Sequence, residues 1–418
     1  MQKKLIALAV AGLVAAPVFA QSNVTIGGWM TINAKYYKAS SLNQNARGAV
    51  QKFKAEYRVD DDSNSRIWFT GKEDLGGGWD AHFYMESRFG ADNGSGATTF
   101  GLAAGDTFVG LTTPVGTFDF GRVTTYYTQG ILIDLDKSLS GGNQPTLTAM
   151  STMGTMLVNG YSRNNNNIRY VSPRVGGFQG TVVVSPNFGG DEGKIPTAGL
   201  AANNKYPDGR SFMLAANYMN GPIYLNAAYW DAKIEGRPTG VNGAASMLLA
   251  DQKAWRVGGS YTFPFGLKIG LGYDKFTVKN VAAGVGMPAV FFAGPAAGVN
   301  GGGAVRTKGS VSRGAWMLPI SYAWGGKHTA FFKYAQAGDL SNWAKPVNQS
   351  GGTGAKFYVM GYDYALSRRT VVGVSYSITK NDGNGIYQPF AAGSTHTGSG
   401  LLAGEKAASL QLNLAHRF

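Results

Sequence analysis

From Val24 to Phe418 the chain is a succession of short segments in which apolar and polar side chains alternate. The segments are joined in turn by a tight Gly-, Pro- or Asn-rich link and by a long polar one. On an extended backbone successive side chains point to opposite faces, so each segment reads as a strand with one apolar and one polar face. Strands joined alternately by short turns and long loops make an up-and-down antiparallel sheet, which removes its unpaired edges by closing into a barrel. In the first strand Met30, Ile32, Ala34 and Tyr36 share one face and Thr31, Asn33 and Lys35 the other. In the third, Ala81, Phe83 and Met85 oppose Asp80, His82, Tyr84, Glu86 and Arg88. A face carrying so many ionisable groups suits a wet lumen better than a dry core.

The pattern predicts sixteen strands, near 23–38, 64–74, 78–90, 103–113, 116–123, 165–174, 178–186, 209–220, 222–233, 252–263, 265–279, 310–324, 326–338, 355–366, 369–380 and 404–418. Short links such as Leu75-Gly76-Gly77-Gly78, Asn220-Gly221 and Gly325-Gly326 carry turn chemistry. Long connections fall near 39–63, 91–102, 124–164, 187–208, 234–251, 280–309, 339–354 and 381–403. An even strand number places both ends of the barrel on the short-turn side.

Residues 1–20 read as a secretory leader: Lys3 and Lys4, an apolar stretch from Leu5 to Val14, and Val18-Phe19-Ala20 before the expected cleavage at Gln21. The expected mature unit is 21–418, a single barrel. Beyond the leader no run of about 18 apolar residues exists, so helices are not the spanning elements. In lipid every backbone polar group must be bonded internally, and the remaining solution is a closed barrel. The composition agrees: 61 glycines and 12% aromatic residues are high, 15% charged residues is low, and there is no cysteine. Without the two leader lysines, 36 basic residues face 24 acidic ones, dispersed rather than in the runs that bind nucleic acid.

Three stretches resemble the classical trimeric porins of Gram-negative bacteria, in particular the general-diffusion branch of the β-proteobacteria. They are Ser65-Arg66-Ile67-Trp68-Phe69-Thr70-Gly71-Lys72-Glu73-Asp74-Leu75 with its three glycines, Phe108 to Arg122, and Asn167-Ile168-Arg169-Tyr170-Val171-Ser172-Pro173. The last strand, Leu410 to Phe418, belongs with them; between 187 and 403 the match rests on rhythm. The resemblance implies an all-β, 16-stranded antiparallel transmembrane barrel in the cell outer membrane, assembled as a homotrimer, with its third loop folded inward. It implies passive diffusion of small hydrophilic solutes and ions; the residues themselves offer no motif for catalysis, a cofactor or a metal.

The longest connection, 124–164, stands where the family's constriction loop stands, so Asp134 and Asp136 match its acidic residues by position; as solvated loop acids they would carry no such role. Arg66 and Arg163 match the family's basic wall, and Lys35, Arg88 and Arg169 are grouped with them by inward parity. Gly105 stands near the place of a further wall arginine, which thins the basic row. Opposed rows of fixed charge make a transverse field in a narrow aqueous gap, and an arginine excess there favours anions. Phe418, His416 and Leu414 on one face of the last strand match the signal read by the barrel-assembly machinery, with Arg417 as the basic penultimate residue.

Trp29 and Trp68 have inward parity, and Gly27-Gly28 and Gly121 are read as small outward faces available for close packing between barrels. Two alternatives stay open. A channel specific for phosphate, an organic acid or a sugar would need a dense ladder of like side chains, and none is visible. A barrel hydrolase would draw on His82, His328, His396 or His416, none of which lies in a recognisable triad spacing. Asp191-Glu192 is too small a cluster to indicate calcium.

Overall fold

The computed structural model describes residues 23–40, 55–61, 65–92, 103, 105–126, 163–186, 209–234, 251–281, 309–341, 351–383, 385, 387 and 404–418. The predicted leader, Asp134 and Asp136, Asp191-Glu192 and His396 lie outside the described residues.

The strands are β1 (Asn23–Ser40), β2 (Glu56–Asp60), β3 (Arg66–Gly76), β4 (Trp79–Arg88), β5 (Thr107–Thr113), β6 (Gly116–Thr124), β7 (Arg163–Val171), β8 (Phe178–Ser185) and β9 (Gly209–Asn220). They continue with β10 (Ile223–Ile234), β11 (Asp251–Thr262), β12 (Leu267–Val281), β13 (Gly309–Trp324), β14 (His328–Ala337), β15 (Ala355–Ala365), β16 (Thr370–Asn381) and β17 (Lys406–Arg417). Each pairs antiparallel with its neighbour, and β1 pairs with β17 from Trp29↔Arg417 to Ser40↔Lys406, which closes the sheet. Both β2 and β3 pair with β1, β2 along Asn33–Tyr37 and β3 along Asn23–Trp29. They are two pieces of one stave, so the barrel is sixteen-stranded, as the alternation predicted.

The short β2 falls inside the connection expected at 39–63. Its five residues are too few for periodicity to separate from a polar loop. Its stave breaks at Asp61, whose carboxylate accepts the Ser65 N–H at 3.4 Å and the Ala91 N–H at 3.1 Å in place of ladder bonds.

The two faces sort as the alternation demands. In β17, Ala407, Ser409, Gln411, Asn413 and Ala415 are buried on the inside, while Leu410, Leu412 and Leu414 are exposed on the outside. Val24, Ile26, Leu225, Val257 and Leu271 add to this apolar outer band, and exposure of such chains to water costs about 25 cal/mol per Å². At the short-turn end of β13 to β15, Trp324 stacks on His328 with ring centres 5.2 Å apart, and Tyr362 receives or donates a 2.6 Å bond at His328 Nδ1. An aromatic girdle of this kind marks a lipid–water interface.

The glycines expected to form outward packing faces do other work. Gly27 lies under the Trp68 ring on the inner face, and Gly28, on the outer face, is covered by Phe418. Gly121 has φ +143° at a bulge, where a β-carbon would strike the Thr107 carbonyl. None of the three offers a bare patch, because each space is already filled within the same barrel.

Candidate functional site

The inward faces of β3 to β7 bring fixed charge together at the long-loop end of these strands. Arg66 of β3 pairs with Arg88 of β4, and one step along the inner face Trp68 pairs with Glu86. The Glu86 carboxylate is buried and gathers three guanidinium groups: Arg88 Nε donates to Oε1 at 2.7 Å, Arg66 Nη1 lies 3.7 Å from Oε2, and Arg163 Nη2 lies 3.7 Å from Oε1. Tyr84 OH donates to Oε2 at 3.1 Å. Gly105 leaves the space: a β-carbon there would overlap the Glu86 carboxylate. The position read as a gap in the basic row is the one that admits the carboxylate organising it.

Asp106 holds the group from the other side. It accepts Arg163 Nε at 2.8 Å and Thr124 Oγ1 at 2.5 Å. Arg122 completes the group, within electrostatic reach of Arg163, Asp106 and Arg88, and donates to Asn165 Oδ1 at 2.5 Å. Among the described residues four guanidinium groups thus stand against two carboxylates, leaving two positive charges in excess. The Arg66, Arg88 and Arg163 side chains are 20–23% exposed and that of Glu86 only 6%. The charge presented to the lumen is therefore guanidinium, with its counter-charge set behind it.

The other expected wall residues lie elsewhere. Arg169 sits near the short turns, where its Nε donates to Asp119 Oδ2 at 2.7 Å. The other oxygen of Asp119 meets His82 Nε2 at 2.8 Å. His82 is four residues from Glu86 along β4, about 13 Å at ~3.3 Å per residue. Lys35 is drawn to the long-loop end of β1 and bonds Asp60 at 2.9 Å, both side chains buried, so it presents no charge to water.

Only the root of the connection 124–164 is described, and it points into the barrel. Tyr126 is fully buried, its OH donating to Asp274 Oδ2 at 2.7 Å, with the Arg256 guanidinium 5.0 Å from its ring centre. Arg256 Nε donates to the same Asp274 oxygen at 2.9 Å. Asp274 lies on β12, six staves from β6 in the sheet order, so this root is bonded to a distant part of the wall. Burial, with the charge of Asp274 adding to it, raises the Tyr126 phenol well above its ordinary range and keeps it a donor.

At the chain end, Leu414 and Phe418 are exposed on the outer face and His416 Nδ1 bonds Thr370 Oγ1 at 2.9 Å. Arg417 turns the other way: its guanidinium lies 4.6 Å from the Trp29 ring centre, and Arg66 lies 5.7 Å from the same ring.

A model of the Gram-negative porin family matches residues 7–384. The chain belongs to the Gram-negative porins. An outer membrane porin protein of Bordetella pertussis is 26% identical, over 91% of this chain and 95% of that one. Outer membrane porin protein 32 of Delftia acidovorans is 27% identical over the full length of both. Among solved structures, an anion-selective porin from Comamonas acidovorans superposes with a TM-score of 0.66 at 22% identity, covering 95% of this chain and all of that one. OmpF of Salmonella typhi superposes at 0.58 with 13% identity over 95% of this chain and 98% of that one. The porin is an outer-membrane β-barrel that forms a water-filled channel for passive diffusion of small hydrophilic solutes and ions.

Glu86, Asp106, Arg122 and the Tyr126–Asp274–Arg256 group were not assigned to the site from sequence. Glu86 carried a signal, since strict alternation puts it inside with Arg88. Arg122 ended a family-like stretch but carried no parity signal: the bulge at Gly121 and the positive φ of Asn166, +56°, break the alternation where it would have been read.

Proposed function

We propose that the guanidinium group around Glu86 is the constriction wall of this porin and gives it a preference for small anions. The observation that carries this reading is the convergence of Arg66, Arg88 and Arg163 on one recessed carboxylate. Holding three cations beside one another in a partly desolvated wall is unfavourable unless an anion neutralises them, and Glu86 and Asp106 supply only half the charge of the four arginines. A mobile anion in the lumen supplies the rest. The likeness to the Comamonas acidovorans porin, itself anion-selective, is in keeping with this.

The connection 124–164 folds inward and brings Asp134 and Asp136 to the far side of the aperture, where they face this wall across water without pairing with its arginines; the bond from Tyr126 to Asp274 supports that course at its root. The porin assembles as a homotrimer in outer-membrane lipid, after the barrel-assembly machinery has read the outer face formed by Leu414, His416 and Phe418. No catalytic role is assigned: His82, His328 and His416 each hold a wall or rim partner.

The zero-current potential in a potassium chloride gradient tests the preference. A chloride-favouring sign that grows at low salt, where screening is weak, is expected. A potassium-favouring sign overturns it.

A further inference from the structure

Below the constriction wall, on the short-turn side, the inner faces of β1 and β3 to β7 line an open recess of ≈ 620 Å³. Its walls are of two kinds. Phe108 and Tyr84 stack with ring centres 5.6 Å apart and 15° between planes, making an apolar side. Thr25 and Thr70 on β1 and β3, and Thr117 and Arg169 on β6 and β7, supply polar atoms to either side of it.

Gly110 of β5 determines the chemistry of this recess. A β-carbon there would overlap both His82 Nε2 and Asp119 Oδ1, so its absence lets β4 and β6 bond across the strand between them. Asp119 is consumed by this arrangement: one oxygen meets His82 and the other accepts Arg169 Nε. The carboxylate therefore orients the arginine without blocking its end. Among the described residues, Nη1 and Nη2 of Arg169 have no hydrogen-bond partner, and the guanidinium carbon lies 4.9 Å from the Phe108 ring centre. A planar fork of two donors, fixed from behind and lying against an aromatic ring, matches a carboxylate attached to a planar apolar body.

We infer that this recess is a second solute subsite, specific for small organic carboxylates with a planar body, such as benzoate, with Arg169 holding the carboxylate and Phe108 and Tyr84 the body. It requires only that the lumen conducts solutes, so it stands apart from the anion preference assigned to the Glu86 group. Among the described residues the other charges facing it are in balance: Lys72 bonds Asp80 at 2.9 Å, and Asp119 offsets Arg169.

The test uses the whole porin in planar bilayers carrying potassium chloride current, with benzoate, acetate or inorganic phosphate added. Benzoate is expected to inhibit the chloride current at concentrations at least tenfold below those at which acetate or phosphate does. Arg169→Lys, which keeps the charge that offsets Asp119 but loses the two-donor fork, should weaken benzoate inhibition at least tenfold while leaving the zero-current potential in potassium chloride nearly unchanged. Phe108→Leu, which retains every charge, should weaken benzoate inhibition several-fold and leave that of acetate unaltered. Retention of native benzoate inhibition in both variants, or equal inhibition by benzoate, acetate and phosphate, overturns the subsite. A change in the potassium chloride potential without a change in benzoate inhibition assigns Arg169 to the constriction and overturns it equally. A conducting channel with the heat-dependent gel mobility of a folded barrel shows that each variant has folded.

Discussion

The ring of Phe418 lies over Gly28, and the two residues exchange backbone bonds across the seam of the barrel, Phe418 N–H to Gly28 O at 3.1 Å and Gly28 N–H to Phe418 O at 3.0 Å. The last residue of the chain thereby fastens the first strand, on the outer face, at the point where the sheet closes.

Gly28→Val should loosen this seam. A β-carbon at Gly28 would overlap the phenyl ring, so Phe418 must leave its place, and forced repacking of this kind costs about 1–3 kcal/mol. The folded barrel should lose its compact gel mobility at a lower temperature than the native one. An unchanged transition would show that the ring's position is incidental to closure.

Tyr126→Phe removes the hydroxyl that binds Asp274 and leaves that buried carboxylate with Arg256. The loss of a buried bond to a charged group costs about 1.5–3 kcal/mol. Because the bond ties the root of 124–164 to a distant stave, open-channel current noise should rise in the variant. Noise equal to the native level would contradict an anchoring role for Tyr126.

Asp382, just beyond β16, has its carboxyl raised above the ordinary aspartate range, first by burial and then by the charge of Asp339. Asp339 is itself committed to the Thr353 and Gly354 N–H groups, at 2.6 and 3.0 Å. A carboxyl with a raised value in the folded state stabilises that state fully below its unfolded value, and the contribution disappears as pH rises through the raised value. The loop end of β15 and β16 should therefore resist proteolysis better near pH 4 than near pH 7. In Asp382→Asn the difference should shrink and resistance at pH 7 should increase; a pH response identical to the native one would refute the assignment.

The sixteen staves were legible because each buries one face and wets the other, so period two is written along every strand. The site was legible only where that period holds. Glu86 and Arg88 followed it, whereas Arg122 escaped because the bulge at Gly121 and Asn166 turns the backbone out of phase. Gly105 and Gly110 misled or stayed silent for a different reason: what matters is a side chain from another strand that enters the space, Glu86 at one and His82 with Asp119 at the other. Lys35 had the right parity and the wrong partner, since Asp60 of the unpredicted β2 neutralises it. Tyr126 and Asp274, 148 residues apart, meet only once the barrel is closed.

Replacing the recessed acid should change selectivity in a definite direction. Glu86→Gln leaves Arg66, Arg88 and Arg163 with Asp106 as their remaining acidic neighbour in the group. The chloride preference should increase, and the barrel should lose about 1–3 kcal/mol of stability as the cations lose their shared partner. A fall in chloride preference would mean that Glu86 does not oppose the arginines electrically.

The constriction charge is tested most directly by the zero-current potential of the double variant Arg88→Gln, Arg163→Gln beside that of the native porin in the same low-salt gradient. Removing two of the four guanidinium groups leaves two against the two carboxylates Glu86 and Asp106, a balanced wall. The native potential should favour chloride and fall close to zero in the variant. A variant potential equal to the native one would contradict a selective role for this wall, because selectivity would then arise elsewhere in the channel.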